Sequence, residues 1–106
     1  MECDLLLKDG IILDGTGSEG VAGSIAVSGD RIAAAGDTTG IEAKMVMNCR
    51  GKVIAPGFID MHSHADWVVP QMGHGDVLAP LLEQGITTVV AGNCRCSVGM
   101  VAGGEA

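Results

Sequence analysis

The stretch IAPGFIDMHSHAD, Ile54 to Asp66, decides which fold the sequence predicts. A Pro-Gly turn precedes a short apolar run, and two histidines follow that run one residue apart. A short, continuous apolar run is typical of a strand that is buried on both faces, as in a parallel sheet. The stretch therefore predicts a strand of an α/β fold with two histidines at its carboxyl end.

The residues that follow complete the pattern of one βαβ unit. GDVLAPLLEQG predicts a helix that stops at Gly85, with Pro80 near its start, where the missing N–H costs little. Three leucines recur in it at helical spacing: Leu78, Leu81 and Leu82. ITTVVAGN is rich in β-branched residues and predicts a second buried strand. We expect a right-handed connection between the two strands.

The first half of the chain predicts short strands joined by tight turns. Asp9-Gly10, between two apolar runs, is a strong two-residue hairpin pattern. Ser28-Gly29-Asp30 repeats this design, and a further turn is expected near Arg50-Gly51. We therefore expect a small antiparallel β unit over residues 1–55.

The charge balance excludes some classes of partner. Thirteen acidic side chains against six basic ones give the 106-residue chain a net charge of −7. Such a surface repels phosphate, so we expect neither nucleic acid nor an anionic membrane as a partner.

The sequence favours a cytoplasmic protein. The segment MECDLLLKDG carries acids where a signal peptide has basic residues, and no window approaches the ~18 apolar residues of a membrane span. Disulfides are not expected in a reducing compartment. We expect Cys3 and Cys49, which lie in strand-like contexts, to be small buried side chains.

The two histidines of the opening stretch carry the candidate chemistry. Residues i and i+2 of a strand point to the same side, which places His62 and His64 side by side with Ser63 turned away. The carboxyl ends of strands are where α/β barrels place catalytic groups, and neutral imidazoles bind divalent transition metals. The pattern therefore indicates a metal site. We interpret His74, in QMGHGD, as a solvated loop residue.

These motifs resemble a known superfamily. GKVIAPGFIDMHSHAD is similar to the first barrel strand of the amidohydrolase superfamily, whose sign is a metal-binding HxH after a Pro-Gly-Phe/Leu-Ile-Asp sequence. DGIILDGTG and GSIAVSGDRIAAAGD resemble its small N-terminal β-sandwich. Within the superfamily, ILDGTGSEG, HSHAD and QGITTVVAGNC together are most similar to the N-acyl-D-amino-acid deacylases, or D-aminoacylases. The resemblance covers about residues 4–97.

The resemblance implies a division of the chain into two parts. Residues 1–55 would form the N-terminal part of a composite β-sandwich domain. Residues 56–106 would form the first βαβ segment of an incomplete, metal-dependent TIM-type (β/α)8 barrel. Because such a barrel needs about 250 residues, we expect the chain to be the N-terminal part of a longer α/β protein with a β-rich beginning.

The resemblance also implies a set of metal ligands. In the deacylases a cysteine after the second strand ligates the metal, which adds Cys94 to the histidine pair and indicates one or two divalent ions, zinc above all. The residues themselves add two candidates beside the site. Asp66 is either a hydrogen-bond partner that orients a ligating histidine or an exposed loop carboxylate, and Cys96, two residues after Cys94, is an alternative ligand if the strand continues. Arg95 stands where the family has glycine. The general base lies on the last barrel strand, so no catalytic residue is expected in this fragment.

The function implied is hydrolysis of a linear amide, a C–N bond outside peptides, in small N-acyl-D-amino acids. We expect the 106-residue chain alone to be inactive and to self-associate through exposed strand edges. One alternative is a cyclic amidohydrolase of the dihydropyrimidinase or dihydroorotase type, although those enzymes use a lysine where the deacylases use the cysteine. The other is a truncated, non-catalytic metal-binding chain.

Overall fold

The computed structural model describes residues 1–92. The chain divides into two compact units, Met1–Pro56 and Gly57–Ala106. The assignment of these regions to a composite sandwich and a barrel stays a prediction.

The first unit is a mixed five-stranded sheet. Its strands are β1 (Glu2–Ile12), β2 (Val21–Ser28), β3 (Arg31–Gly36), β4 (Glu42–Asn48) and β5 (Val53–Ile54). The order is β3-β2-β1-β4, and β5 also pairs with β1. The pairs β1–β2 and β2–β3 are antiparallel, but β4 and β5 run parallel to β1. The prediction of a purely antiparallel unit is therefore wrong, because the chain crosses from the β3 edge to the far side of β1.

The predicted hairpin at Asp9-Gly10 is also wrong, since both residues lie inside β1. The register with β2 moves from Leu7↔Ile25 to Gly10↔Gly23, so β1 contains one extra residue and forms a β-bulge. Asp9 adopts a φ of 60° and its N–H donates to Ser24 Oγ at 3.0 Å. Glycine is required at position 10 by packing, because a Cβ there would lie 2.7 Å from Ile54 Cδ1.

The other two predicted turns are confirmed. Gly29 and Asp30 form the loop between β2 and β3, with Ser28 paired to Arg31. Arg50-Gly51 also forms a turn, closed by the Lys52 N–H and the Cys49 carbonyl oxygen at 2.9 Å. This second turn closes no hairpin, because the strands on either side of it both pair with β1.

The core of the first unit consists of small and medium side chains. Cys3, Leu6 and Ala26 form a buried cluster against which Ala34, Ile41 and Ala43 pack. Cys3 and Cys49 are buried free thiols, as predicted.

The second unit has the predicted order of strand, helix and strand. Its elements are β6 (Phe58–Asp60), a 3-10 turn (Ala65–Trp67), α1 (His74–Glu83) and β7 (Ile86–Val89). The two strands pair in parallel. Gly85 follows the helix with a φ of 86°, as the predicted stop requires. In the part of the chain that the structure describes, no helix is long and apolar enough to cross a membrane.

The predicted position of Pro80 is wrong. The helix begins at His74, after Gly73 in the left-handed conformation, so Pro80 lies in the second half of the helix. Proline there has no N–H to donate to the carbonyl oxygen of Asp76 one turn earlier. The sequence pattern did not reveal the early start because His74-Gly75 lacks the usual capping residues.

Candidate metal centre

The histidine pair lies just beyond the carboxyl end of β6. The chain bends after Asp60, whose carboxylate Oδ1 accepts the His62 backbone N–H at 3.1 Å. Pairing with the second strand continues past this bend, since the Val90 N–H donates to the Asp60 carbonyl oxygen at 2.8 Å and the Ser63 N–H donates to the Val90 carbonyl oxygen at 2.9 Å. His62 and His64 therefore flank a residue whose backbone is held by the neighbouring segment.

The two imidazoles form a close, exposed pair. The ring centroids of His62 and His64 lie 5.6 Å apart, and the ring planes meet at 66°, an edge-to-face arrangement. A zinc–nitrogen bond of 2.0–2.1 Å puts a ring centroid about 3.2 Å from the ion, so two ligands at a tetrahedral angle have centroids about 5.2 Å apart. The observed separation is within a few tenths of an ångström of this value. This separation is compatible with two ligands of one ion, and a metal site at the pair stays a prediction.

A hydrogen-bonded turn holds the second histidine. The Trp67 N–H donates to the His64 carbonyl oxygen at 3.0 Å, and the Ala65 N–H donates to Ser63 Oγ at 3.1 Å. Ala65 is buried, and its carbonyl oxygen accepts the Val68 N–H at 2.9 Å. The backbone that carries His64 is thus tied on both sides.

The remaining predicted ligands lie beyond the part of the chain that the structure describes. Cys94 and Cys96 lie outside the described residues, and so does Arg95. Asp66 is half-buried in the 3-10 turn, and its role beside the ligands stays a prediction. Within the described range, no group of three or more histidine, cysteine or acidic side chains is arranged to hold a metal ion.

His74 is exposed but belongs to a helix. It is the first residue of α1, and its Nδ1 lies 2.9 Å from the Gln71 carbonyl oxygen. The interpretation as a loop residue is therefore wrong, because the helix begins earlier than the leucine pattern indicates.

Sequence reasoning missed two residues at this site. Asp60 fixes the His62 backbone, and its place two residues before the histidine is the spacing at which an aspartate accepts a nearby N–H. Trp67, the one tryptophan in the chain, stands three residues after His64 and remains half-exposed. Its rarity in a chain with 2% aromatic residues was the available signal.

Comparison with known proteins gives consistent matches. No family model matches the chain. The chain is 41% identical over 99 residues to a D-aminoacylase from Alcaligenes xylosoxydans xylosoxydans, covering 93% of this chain and 20% of that protein. It is 40% identical over 97 residues to an N-acyl-D-aspartate deacylase of the same organism, covering 92% and 19%.

Solved structures agree with these relatives. An N-acyl-D-glutamate deacylase from Bordetella bronchiseptica, complexed with zinc and a phosphonate inhibitor, superposes with a TM-score of 0.81 at 38% identity, covering 92% of this chain and 20% of that one. A D-aminoacylase with a binuclear metal centre superposes with a TM-score of 0.80 at 38% identity, covering 97% and 21%.

The chain spans about a fifth of the length of the curated relatives it matches. The matched region is the N-terminal part of those proteins, and the agreement extends over both sequence and backbone. The resemblance drawn from the motifs is confirmed. The chain is a homologue of the N-terminal part of the D-aminoacylases, the N-acyl-D-amino-acid deacylases of the amidohydrolase superfamily.

Proposed function

We propose that this chain supplies the first metal ligands of a hydrolase that deacylates N-acyl-D-amino acids. The observation that carries the proposal is the exposed imidazole pair, 5.6 Å apart at the carboxyl end of a parallel strand. Sequence comparison supports the proposal, because the chain is 41% identical to a D-aminoacylase. The reaction is hydrolysis of a linear amide, a C–N bond other than a peptide bond.

The ligand set would combine His62 and His64 with Cys94, around one or two divalent ions such as zinc. The neighbouring solved structures hold zinc or a binuclear metal centre, which supports this choice. The chemistry that such a site supplies is polarisation of the acyl carbonyl and activation of a water molecule. Further ligands and the general base would come from the part of the relatives that this chain does not span.

The chain's own residues restrain the backbone that carries the two imidazoles. The Asp60 carboxylate accepts the His62 N–H, and the His64 carbonyl oxygen accepts the Trp67 N–H of the turn that follows. Asp66 would orient one imidazole as a hydrogen-bond acceptor. In the complete protein, β6 and β7 would be the first two strands of a (β/α)8 barrel, and β1–β5 would belong to the composite sandwich.

Two features of the first unit support further proposals. Within the described residues, β4 is an edge strand of the sheet, and it exposes Met45, Val46 and Met47. We therefore propose that the isolated chain self-associates along this edge. The buried free thiols Cys3 and Cys49 are consistent with a reducing, cytoplasmic location.

Zinc titration by calorimetry tests the pair directly. The chain should bind zinc saturably, and His62→Ala/His64→Ala should abolish that binding. His74→Ala is the matched control, because it removes the third histidine of the chain from an exposed position at the start of α1. Equal binding by the double variant and the parent chain would show that the pair is not the site.

A rate assay tests the reaction itself. The chain would be fused to the aligned remainder of the Alcaligenes D-aminoacylase and supplied with zinc and N-acetyl-D-methionine. Turnover should depend on zinc and be lost in Cys94→Ala. Dihydrouracil, a cyclic amide, should not be hydrolysed; preferential turnover of this compound would favour the cyclic amidohydrolase alternative. A fusion that binds zinc through the pair but hydrolyses neither compound would favour the non-catalytic alternative.

A further inference from the structure

The parallel pairing of β6 with β7 continues past both strands with one extra residue at the histidine pair. In a regular parallel ladder, one residue bonds to two residues of the neighbouring strand that lie two positions apart. Val90 instead donates its N–H to the Asp60 carbonyl oxygen at 2.8 Å and accepts the Ser63 N–H, three positions further along, at 2.9 Å. The N–H that a regular ladder would direct to Val90 is that of His62. The extra residue therefore takes this N–H out of the ladder, as happens at a β-bulge.

The Asp60 side chain replaces the ladder bond. Its Oδ1 accepts the His62 N–H at 3.1 Å. Asp60 is itself half-buried, and its carbonyl oxygen is held by Val90. An aspartate that bonds the N–H two residues further on closes an Asx-turn, which sets the backbone conformation between the two residues. The direction in which the His62 side chain leaves the backbone is therefore set by the Asp60 carboxylate.

The second histidine is held by main-chain contacts instead. Ser63, directly before it, pairs with Val90, and the His64 carbonyl oxygen accepts the Trp67 N–H at 3.0 Å. These bonds join main-chain atoms, whereas the bond to the His62 N–H depends on one side-chain oxygen. Substitution of Asp60 therefore moves one imidazole relative to the other and leaves both rings in the chain.

We propose that Asp60 is a positioning residue of the metal centre, which sets the spacing of the imidazole pair through the His62 N–H. This inference rests on the proposed function, because it takes His62 and His64 as ligands of one zinc ion. The centroid separation of 5.6 Å belongs to the conformation in which this hydrogen bond is made. Without the bond, only a fraction of the chains presents the pair at this spacing. The apparent dissociation constant for zinc then rises by the inverse of that fraction.

Two substitutions separate the position of the acceptor oxygen from the charge of the carboxylate. Asp60→Asn keeps an acceptor oxygen at the same place and removes the charge, whereas Asp60→Glu keeps the charge and moves it one methylene further from the backbone. Asparagine closes the same turn as aspartate, but glutamate does not. In calorimetry on the 106-residue chain, Asp60→Asn should bind zinc within about 3-fold of the parent affinity, and Asp60→Glu about 10-fold more weakly. The reverse order would show that the carboxylate acts by its charge and would overturn the inference.

Amide hydrogen exchange in the zinc-free chain tests the contact itself. The His62 N–H should exchange several-fold faster in Asp60→Glu than in the parent chain or in Asp60→Asn, because exchange requires the hydrogen bond to open. The Ser63 N–H, bonded to the Val90 carbonyl oxygen, should exchange at the same rate in all three chains and is the internal reference. Faster exchange at both amides would assign Asp60 a general structural role and overturn the inference. Unchanged exchange at His62 would overturn it as well.

The matched control is Asp76→Glu, which makes the same change at an exposed carboxylate in the first turn of α1. It should leave both the zinc affinity and the exchange rate of the His62 N–H unchanged. A parent chain that does not bind zinc would refute the proposed function and the inference together. Zinc binding through the histidine pair, with equal affinities for Asp60→Asn and Asp60→Glu, would refute the inference alone.

Discussion

Replacing Gly57 with alanine is expected to displace β6, the strand that directly precedes the histidine pair. A Cβ at this position would clash with Thr87 Oγ1 and Thr87 Cγ2 and would lie 2.6 Å from Thr87 Cβ. Rotation of the threonine side chain can move the first two atoms away. It cannot move the third, which is bonded to the backbone of β7. The alanine therefore requires β6 and β7 to separate.

The expected cost follows from this forced backbone movement. Overpacking that shifts the backbone costs about 1–3 kcal/mol. The shift also strains the adjacent hydrogen bond from the Phe58 N–H to the Gly85 carbonyl oxygen, now 2.8 Å long, and a typical bond of this kind contributes about 1 kcal/mol. Gly57→Ala should therefore lower the free energy of unfolding by about 2–4 kcal/mol.

Urea denaturation followed by Trp67 fluorescence measures this loss, because the only tryptophan lies in the second unit. Thr87→Gly removes all three clashing atoms, so the double variant should recover at least about 1 kcal/mol relative to the sum of the single changes. The matched control is Gly75→Ala, which has nothing within 4 Å of its new Cβ and lies in α1. Alanine there should be neutral or stabilising by up to about 1 kcal/mol.

Two results would refute the reasoning on Gly57. One is unfolding of Gly57→Ala at the same urea concentration as the parent chain. The other is a fully additive double variant with Thr87→Gly, which would place the cost somewhere other than this contact.

Three further predictions concern other parts of the chain. Gly10→Ala should destabilise the first unit by about 1–3 kcal/mol in a thermal melt, because its Cβ would meet Ile54, and Ile54→Val should relieve part of that cost; an unchanged melting temperature would contradict it. The salt bridge with Lys44 and the Gly29 N–H lower the pKa of Asp4 below its ordinary value of 3.8, and Asp4 in turn raises the pKa of Lys44 above 10.5. Between pH 3.8 and pH 10.5 the parent chain should therefore be more stable than Asp4→Asn. This difference in stability should decrease as the pH falls through the lowered pKa of Asp4 or rises through the raised pKa of Lys44. A stability difference that does not change with pH would refute this prediction. The 106-residue chain alone, with zinc, should hydrolyse N-acetyl-D-methionine at least ~10²-fold more slowly than the fusion, because removing the general base alone costs that much; comparable rates would contradict the proposed division of the site.

Local patterns predicted the second unit well because its elements are consecutive. The leucine spacing and Gly85 define one helix, and the apolar runs on either side of it pair with each other. The turn at Gly29-Asp30 was equally local, since β2 and β3 are adjacent in sequence and in the sheet.

The errors arose where distant residues decide the structure. Asp9-Gly10 has the composition of a hairpin turn, but in this chain the two residues form a bulge, with Asp9 at a positive φ. The side chain of Ile54, packed on Gly10, distinguishes the two, and no local pattern contains that contact. In the same way, alternation predicts β4 and β5 as strands but does not reveal that each pairs with β1 in parallel.

The position of the histidine pair depends both on the local sequence and on contacts with residues that are distant in sequence. The spacing of His62 and His64 is visible in the sequence, but β6 ends before them at Asp60, so strand geometry alone does not hold them side by side. The backbone around them is held by pairing with the neighbouring segment, through the two hydrogen bonds that Val90 makes to Asp60 and Ser63. This segment directly follows β7, which α1 connects to β6 as its parallel partner. The smallest part of the chain that can present the pair at its observed spacing is therefore the whole βαβ unit, and not the HxH segment by itself.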